Sequence, residues 1–222
     1  MFKLNFKKLL SFLSVFVLAL TSIVESTFAA DDTFATKECD PVQVVIHASY
    51  GGGTDTTARM MSIRSRRYLK ADMQIVGKRG GSGAKAQNYT LTRPKDGCTL
   101  MALTESHLYT LARKKSDMKI DDLVGIARAM EEPTFIVVNS KNAELSTIEK
   151  LIERSKSKPI LTAIANVGGT EHIGMYTYSK AAGVPFKAVS FGSGAQSLQA
   201  LASGKVEASL LNPSEAAALI DA

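Results

Sequence analysis

The sequence lacks the short motifs that mark the common nucleotide-binding and hydrolase sites. The glycine-rich run at 51–55, GGGTD, does not have the G-x-G-x-x-G spacing of a dinucleotide site. The run at 78–85, KRGGSGAK, lacks the G-K-[ST] ending of a P-loop, which excludes an NTPase of that class. There is no G-x-S-x-G elbow, and Ser106 and His107 are neighbours on a segment predicted to be extended, where adjacent side chains point in opposite directions. A hydrolase is therefore not predicted.

Long apolar runs are also scarce, and the one that exists lies at the N-terminus. Lys3, Lys7 and Lys8 precede an apolar run at 9–20, which is shorter than the ~20 residues needed to span a bilayer. Thr27 and Ala29 then place small residues at the −3 and −1 positions of a cleavage site. We predict that residues 1–29 are a signal peptide cleaved near Ala29 or Ala30; an uncleaved N-terminal anchor is the alternative.

Only two cysteines are present, Cys39 and Cys98, and their spacing has no metal-site signature. In an exported protein a single disulfide between them is one outcome and two free thiols the other. The formal charge of +6 falls to +4 once the leader, with three Lys and Glu25, is removed. An export signal argues against a nucleic-acid partner, and a modest positive field favours acidic ligands. No cofactor or metal is predicted.

From Val42 the pattern alternates between apolar strand-like runs and amphipathic helix-like runs, which predicts an α/β fold with parallel-rich sheets flanked by helices. In the first half we predict a strand at 42–48, a helix at 54–69 with Thr54 or Asp55 as its N-cap, and a strand at 98–103. The Thr-Glu-Ser-His segment at 104–107 is expected to extend from that strand.

The second half repeats the alternation. Ser146 and Glu149 form a capping-box signature for a helix at 146–156. A helix at 170–182, capped by Thr170 and ended by Gly183, and a helix at 195–203 follow, and Pro213 opens a last helix. Two such units predict two lobes with a cleft between them, lobe 1 at 30–135 and lobe 2 at 136–222.

Three glycine-rich loops, at 51–55, 168–170 and 192–194, each lie between a strand-like run and a helix-like run. A glycine turn that opens a helix leaves unpaired N–H groups at the positive end of the helix dipole, which suits a carboxylate or a phosphate. Tyr50 precedes the first loop and provides an aromatic pocket wall. These loops predict a protein that holds a small acid.

Several segments together resemble one known family. They are YGGGTDTTAR, RGGSGA, KDGCTLMAL, the Thr-Glu-Ser-His segment, PTFIVVNS, GGTEH and VSFGSGAQSLQALASGKVEASLLN. In this order they resemble the solute-binding receptors of tripartite tricarboxylate transporters, the Bug family of periplasmic proteins. The resemblance implies a two-lobed periplasmic-binding-protein fold, type II-like, that closes on a small carboxylate and delivers it to a membrane permease.

The resemblance also implies which residues contact the ligand, through the glycine loops of both lobes and the loop after the third strand. The expected substrate-binding residues are Tyr50, Gly51, Gly52, Gly53, Thr54, Asp55, Thr104, Ser106, Gly168, Gly169, Thr170 and Ser193. The sequence departs from the family where Phe191-Gly192 stands in place of Tyr-Lys and Leu211-Asn212 in place of Asp-Asn. Family members usually continue for about a hundred residues, so we expect lobe 2 to be incomplete and the sequence to be truncated at its C-terminus.

The function predicted from the sequence is therefore an extracytoplasmic receptor, monomeric and periplasmic, that binds a di- or tricarboxylate or a related organic acid without chemistry. One alternative is a ligand sensor for a signalling receptor. Another is a transferase-like enzyme on the same fold, for which Asp55, Glu105 and His172 are the candidate catalytic residues.

Overall fold

A computed structural model describes residues 39–220. The predicted signal peptide at 1–29 lies outside the described residues. Two sheets are formed by separate stretches of sequence, one by residues 42–101 and the other by residues 135–211. The predicted α/β fold with parallel-rich sheets flanked by helices is confirmed.

The first sheet has three parallel strands in the order β2-β1-β3. The strands are β1 (Val42–Ile46), β2 (Met73–Gly77) and β3 (Thr99–Met101). The helices of this half are α1 (Gly53–Ser62), α2 (Ser65–Leu69), α3 (Ala84–Leu91) and α4 (Glu105–Ala112). Because all three strands run in the same direction, the loops after them emerge at one edge of the sheet.

Two predictions in this half are wrong. The helix expected at 54–69 is broken between Ser62 and Ser65; Met60, Met61 and Ile63 are exposed, so no buried apolar face runs through both pieces. The segment 104–107 does not stay extended, since α4 begins at Glu105 with Thr104 as its N-cap. Ser106 and His107 therefore differ by a helical rotation rather than by a strand alternation.

The second sheet has four strands in the order β4-β7-β5-β6. The strands are β4 (Phe135–Val138), β5 (Ile160–Ile164), β6 (Phe186–Ser190) and β7 (Ala208–Leu211). Strand β5 pairs in parallel with β6 and β7, whereas β4 pairs antiparallel with β7. The helices are α5 (Ile148–Ser157), α6 (Thr170–Ala182), α7 (Gly194–Ala202) and α8 (Pro213–Ile220).

Helix caps in this half shift by one residue from the predicted positions. Helix α5 is capped by Thr147, whose hydroxyl accepts a hydrogen bond from the Lys150 amide at 3.3 Å. Ser146 instead donates to the Ala143 carbonyl at 2.9 Å and closes a preceding turn. Helix α6 spans the predicted residues, but its N-cap is Gly169, and Thr170 is its first residue.

The central strands are buried on both faces. In β1, Val44 and Ile46 pack on one side against Ala58 of α1, while Val45 on the other side is also fully buried. Strand β5 has the same burial pattern, with Ile160, Thr162 and Ile164 inaccessible. Burial on both faces is the expected state of parallel strands between helices, and it fixes the strand ends that carry the loops.

A disulfide joins Cys39 and Cys98, ahead of β1 and β3 respectively, across 59 residues of sequence. Both cysteines lie at the amino edge of the first sheet. They pack with Val42 and Ala71 in a small apolar cluster. The disulfide therefore ties the segment entering the sheet to its edge strand.

Within residues 39–220, none of the helices is both long and apolar enough to cross a membrane. In the same residues, no group of three or more His, Cys, Asp or Glu side chains is arranged to hold a metal ion.

Candidate functional site

The first glycine loop lies at the carboxyl end of β1 and is organised by Asp55. Gly51 has a φ of +80°, a conformation that a non-glycine residue adopts only at a cost. The Asp55 carboxylate, 3% exposed, accepts hydrogen bonds from the Gly51 amide at 2.8 Å and from Arg59 Nε at 3.0 Å. Asp55 is thus inside α1, whose N-cap is Gly52. The prediction that Thr54 or Asp55 caps this helix is wrong.

The ionisation of Asp55 follows from these contacts. Burial acts to raise its pKa, but the hydrogen bonds from Arg59 and Gly51 outweigh burial, and the pKa lies below its ordinary value. Asp55 is therefore a structural anion that holds the loop, with one oxygen engaged by both Gly51 and Arg59.

Tyr50 lies beside this loop with its ring largely exposed. Its hydroxyl accepts a hydrogen bond from the Gly77 amide at 2.9 Å, so the ring is fixed over the end of β2. The Arg59 guanidinium lies 5.8 Å from the centre of the ring. A ring held in this way is suited to form the predicted wall, although Tyr50 faces solvent over 60% of its surface.

The loop after β3 meets the glycine loop after β5. Ser106, in the first turn of α4, is buried, and its hydroxyl accepts a hydrogen bond from the Thr170 amide at 3.0 Å. The Ser106 and Thr170 hydroxyls are also 3.0 Å apart. A Cβ at Gly169 would lie 3.0 Å from the Ser106 oxygen, so a glycine permits this approach. Thr104 caps α4 and does not join this contact.

His172 and Arg113 flank the same loop. The Gly168 amide donates to His172 Nδ1 at 2.9 Å, and the His172 ring packs edge-on against Phe186 with centroids 6.1 Å apart. These contacts give His172 a loop-fixing role. The Arg113 guanidinium lies directly over Gly168, where any Cβ would overlap it.

The third glycine loop, after β6, faces the first. Ser193 is 2% exposed and caps α7 by accepting a hydrogen bond from the Gln196 amide at 3.3 Å. A Cβ at Gly52 would lie 3.3 Å from the Ser193 Cβ, and the Ser49 hydroxyl donates to the Gly192 carbonyl at 3.3 Å. The N-termini of α1 and α7 are therefore in contact.

Two acids that were not predicted as site residues, Glu215 and Glu171, lie in the first turns of α8 and α6. Glu215, in the first turn of α8, accepts a hydrogen bond from the Gly53 amide at 3.3 Å and from the Asn212 amide at 3.4 Å. Burial raises the pKa of Glu215 despite these hydrogen bonds. Burial also raises the pKa of Glu171, in the first turn of α6, and the charge of Glu215 adds to that effect.

A cavity of about 380 Å³ opens beside the contact between the two halves. Residues from the loop after β2, the end of α4 and the loop after β5 line it, two of them basic: Gly81, Ser82, Arg113, Lys115, Asn166 and Val167. The Ser82 hydroxyl donates to the Val167 carbonyl at one side of the cavity. Ser82, Arg113 and Lys115 were not predicted; the sequence signal for Ser82 was the RGGSGA segment of the resemblance.

A pair of buried histidines lies behind the first loop. The rings of His47 and His107 are 4.3 Å apart, centre to centre, in an edge-on arrangement. Burial lowers the pKa of His47 to about 3, with a contribution from His107, and lowers the pKa of His107 to about 4. Both rings are neutral at physiological pH, and His107 Nδ1 accepts a hydrogen bond from the Thr104 amide at 3.0 Å at the start of α4.

The structure therefore brings predicted residues together in two contacts. Gly52 and Ser193 meet in one contact, and Ser106, Gly169 and Thr170 meet in the other. Two predicted anion-binding amides already have protein acceptors, since Gly53 donates to Glu215 and Thr170 donates to Ser106. In the sequence, Glu215 is an acid three residues after Asn212. Because this spacing is ordinary at a helix start, it did not indicate a site residue.

Comparison with known proteins gives a consistent result. The family model described as the tripartite tricarboxylate transporter family receptor matches residues 58–222. The protein BugT of Bordetella pertussis is 25% identical over an alignment of 178 residues that covers 77% of this chain and 52% of BugT.

Solved structures share the fold. MatC (Rpa3494) from Rhodopseudomonas palustris with bound malate superposes with a TM-score of 0.74 at 22% identity, over 82% of this chain and 63% of that one. Rpa4515 of R. palustris with adipate gives a TM-score of 0.68 at 22% identity, over 82% of this chain and 62% of that one. The chain spans about half the length of BugT and under two thirds of these structures.

The family model covers well over half of the chain, and the fold is that of periplasmic binding proteins. The resemblance found in the sequence is thereby confirmed. The chain belongs to the family of tripartite tricarboxylate transporter receptors.

Proposed function

We propose that this protein is an exported receptor that holds a small organic acid between the glycine loops of its two sheets and delivers it to the membrane subunits of a tripartite transporter. The observation that carries the proposal is the meeting of helix N-termini from both halves. Helices α1 and α7 meet at Gly52 and Ser193, and helices α4 and α6 meet at Ser106 and Thr170. Each N-terminus provides amide donors and a positive dipole end.

Basic side chains support an anionic ligand at the same loops. The Arg79 guanidinium lies against Gly192, and the Arg113 guanidinium lies against Gly168 beside the 380 Å³ cavity. A dicarboxylate would engage amides and guanidinium groups of both halves at once, and charge-assisted hydrogen bonds contribute about 1.5–3 kcal/mol each. The malate and adipate named for the two similar structures are ligands of this class.

The mechanism we propose is binding without chemistry. Each sheet forms the core of one of the two predicted lobes, and the second lobe begins with β4 at Phe135 instead of residue 136. The ligand favours the state in which the loops of the two lobes are in contact. Hydroxyl and amide groups that now contact one another, such as the Ser106 hydroxyl with the Thr170 amide, would exchange these contacts for contacts with the ligand.

Isothermal titration calorimetry of the exported form with malate, adipate and a panel of other di- and tricarboxylates tests the proposal. Gly169→Ala is the informative variant, because its Cβ would lie 3.0 Å from the Ser106 oxygen and 3.2 Å from the Asn166 carbonyl. Gly125→Ala is the matched control, because its Cβ would meet open space. We expect at least a tenfold loss of affinity in Gly169→Ala, equivalent to about 1.4 kcal/mol, and none in Gly125→Ala.

A folded protein that binds no acid of the panel would refute the proposal. If Gly169→Ala and Gly125→Ala bind the acid with equal affinity, the protein is still a receptor, but its ligand does not lie at the contact between Ser106 and Thr170.

A further inference from the structure

Glu215 is placed unlike any other acid among the described residues. Its carboxylate lies against the first residues of two helices from different halves of the fold. The Gly53 amide of α1 donates to Oε1 at 3.3 Å, and a Cβ at Gly194 of α7 would overlap the carboxylate. We call these two helix starts, at Gly53 and Gly194, the paired helix ends.

The positive ends of helix dipoles are where a carboxylate is most stable. Glu215 lies at three of them, since it also accepts from the Asn212 amide at the start of its own helix. The side chain is half-buried, so this contact offsets part of the cost of removing a charge from water. The paired helix ends are therefore occupied by an anion that belongs to the protein itself.

We propose that Glu215 is an internal competitor for the ligand: its carboxylate holds the paired helix ends in the empty receptor, and an incoming acid binds there only by displacing it. This inference rests on the proposed function for the class of the competing ligand. Glu215 is then a specificity-determining residue. An acid is bound only if its contacts with the paired helix ends are more favourable in free energy than the Glu215 contacts that it replaces.

The surroundings of Glu215 favour its release. Burial raises the pKa of Glu215, and the charge of Glu132 adds to that effect. Burial likewise raises the pKa of Glu171, with a smaller contribution from the charge of Glu215. Glu132 also contacts the start of α8, accepting from the Ser214 amide and hydroxyl, both at 2.8 Å. Repulsion from two neighbouring acids weakens the hold of the paired helix ends on Glu215.

A purely structural role would be the capping of α8 through the Asn212 amide. Glu215→Gln separates the two roles, because the side-chain oxygen of glutamine can still accept from the Asn212 amide but carries no charge. Glu132→Gln is the matched control, since it removes an acid at the same helix start that does not contact Gly53.

The experiment is calorimetric titration of wild type, Glu215→Gln and Glu132→Gln with malate and adipate. If Glu215 occupies the paired helix ends about nine-tenths of the time, Glu215→Gln binds about tenfold more tightly than wild type. Glu132→Gln removes a repulsion on Glu215, so it should change affinity much less and in the opposite direction, toward weaker binding. Equal affinities for wild type and Glu215→Gln would overturn the inference while leaving the proposed function intact.

A second measurement needs no ligand. In amide NMR spectra, the Gly53 resonance should shift when the charged acceptor is replaced in Glu215→Gln and stay in place in Glu132→Gln. An unmoved Gly53 resonance in Glu215→Gln would overturn the inference. Absence of binding in wild type and both variants would instead contradict the proposed function.

Discussion

Asp55 should contribute more to stability than any other residue of the first glycine loop, although its ion-pair partner is exposed. Its Oδ2 accepts from the Gly51 amide at 2.8 Å and from Arg59 Nε at 3.0 Å, while its side chain is 4% exposed and that of Arg59 57%. Asp55→Ala removes a charge-assisted hydrogen bond to backbone and leaves the Gly51 amide without its acceptor. We expect it to lower the free energy of unfolding by about 2 kcal/mol.

Two further variants show which contact is responsible. Asp55→Asn retains an acceptor for the Gly51 amide but loses the charge, so it should lose about half as much, about 1 kcal/mol. Arg59→Ala removes an exposed partner whose attraction is screened by water and salt, but it also takes one hydrogen bond from the buried Asp55 carboxylate, so it should lose clearly less than Asp55→Ala without being neutral. Urea unfolding followed by circular dichroism measures all three. Equal losses in Asp55→Ala and Arg59→Ala would show that the ion pair, not the Gly51 contact, carries the stability and would refute the reasoning.

Two other predictions concern the first sheet. Replacing Cys39 and Cys98 with Ser opens a loop across 59 residues and should lower the free energy of unfolding by about 4 kcal/mol in the chain-entropy estimate, measured by urea unfolding; an unchanged midpoint would contradict it. His47 and His107 are neutral in the folded state, with pKa values of about 3 and about 4, whereas in the unfolded state they take up protons below about pH 6.5. Stability should therefore fall as pH is lowered from about 6.5 to about 4, and His107→Gln should reduce that slope; an equal slope in the variant would contradict the assignment.

Elements whose ends carry glycine were predictable from the sequence. Helix α6 spans the predicted residues because Gly168 and Gly169 precede it and Gly183, with a φ of +67°, ends it. The parallel first sheet followed from apolar strands separated by helices. In each case residues within or next to the element determine it, and contacts with distant residues do not change it.

Features set by distant contacts were not predictable. The antiparallel pairing of β4 with β7 depends on partners about 70 residues apart, and nothing in the apolar run at 135–138 indicates its direction. The break of the expected helix at Ile63 follows from the absence of a buried face, which only the packed structure defines.

The candidate site divides in the same way. Glycines and hydroxyls at the strand ends were visible in the sequence, and the structure brings Gly52 to Ser193 and Ser106 to Thr170. Glu215 could not be placed, because that carboxylate meets Gly53 across 162 residues of sequence. An acid near a helix start is common, and only its neighbours distinguish it.

The parallel first sheet has a further consequence for how this protein can change over evolutionary time. Its covalent cross-link, Cys39 to Cys98, lies ahead of the strands, whereas the glycine loop at 51–55 and the start of α4 lie beyond them. The cross-link and the loops proposed to bind the ligand thus lie at opposite ends of the same strands. Under the proposed function, substitutions in those loops would alter ligand contacts without touching the covalent link that ties the sheet together at its other edge.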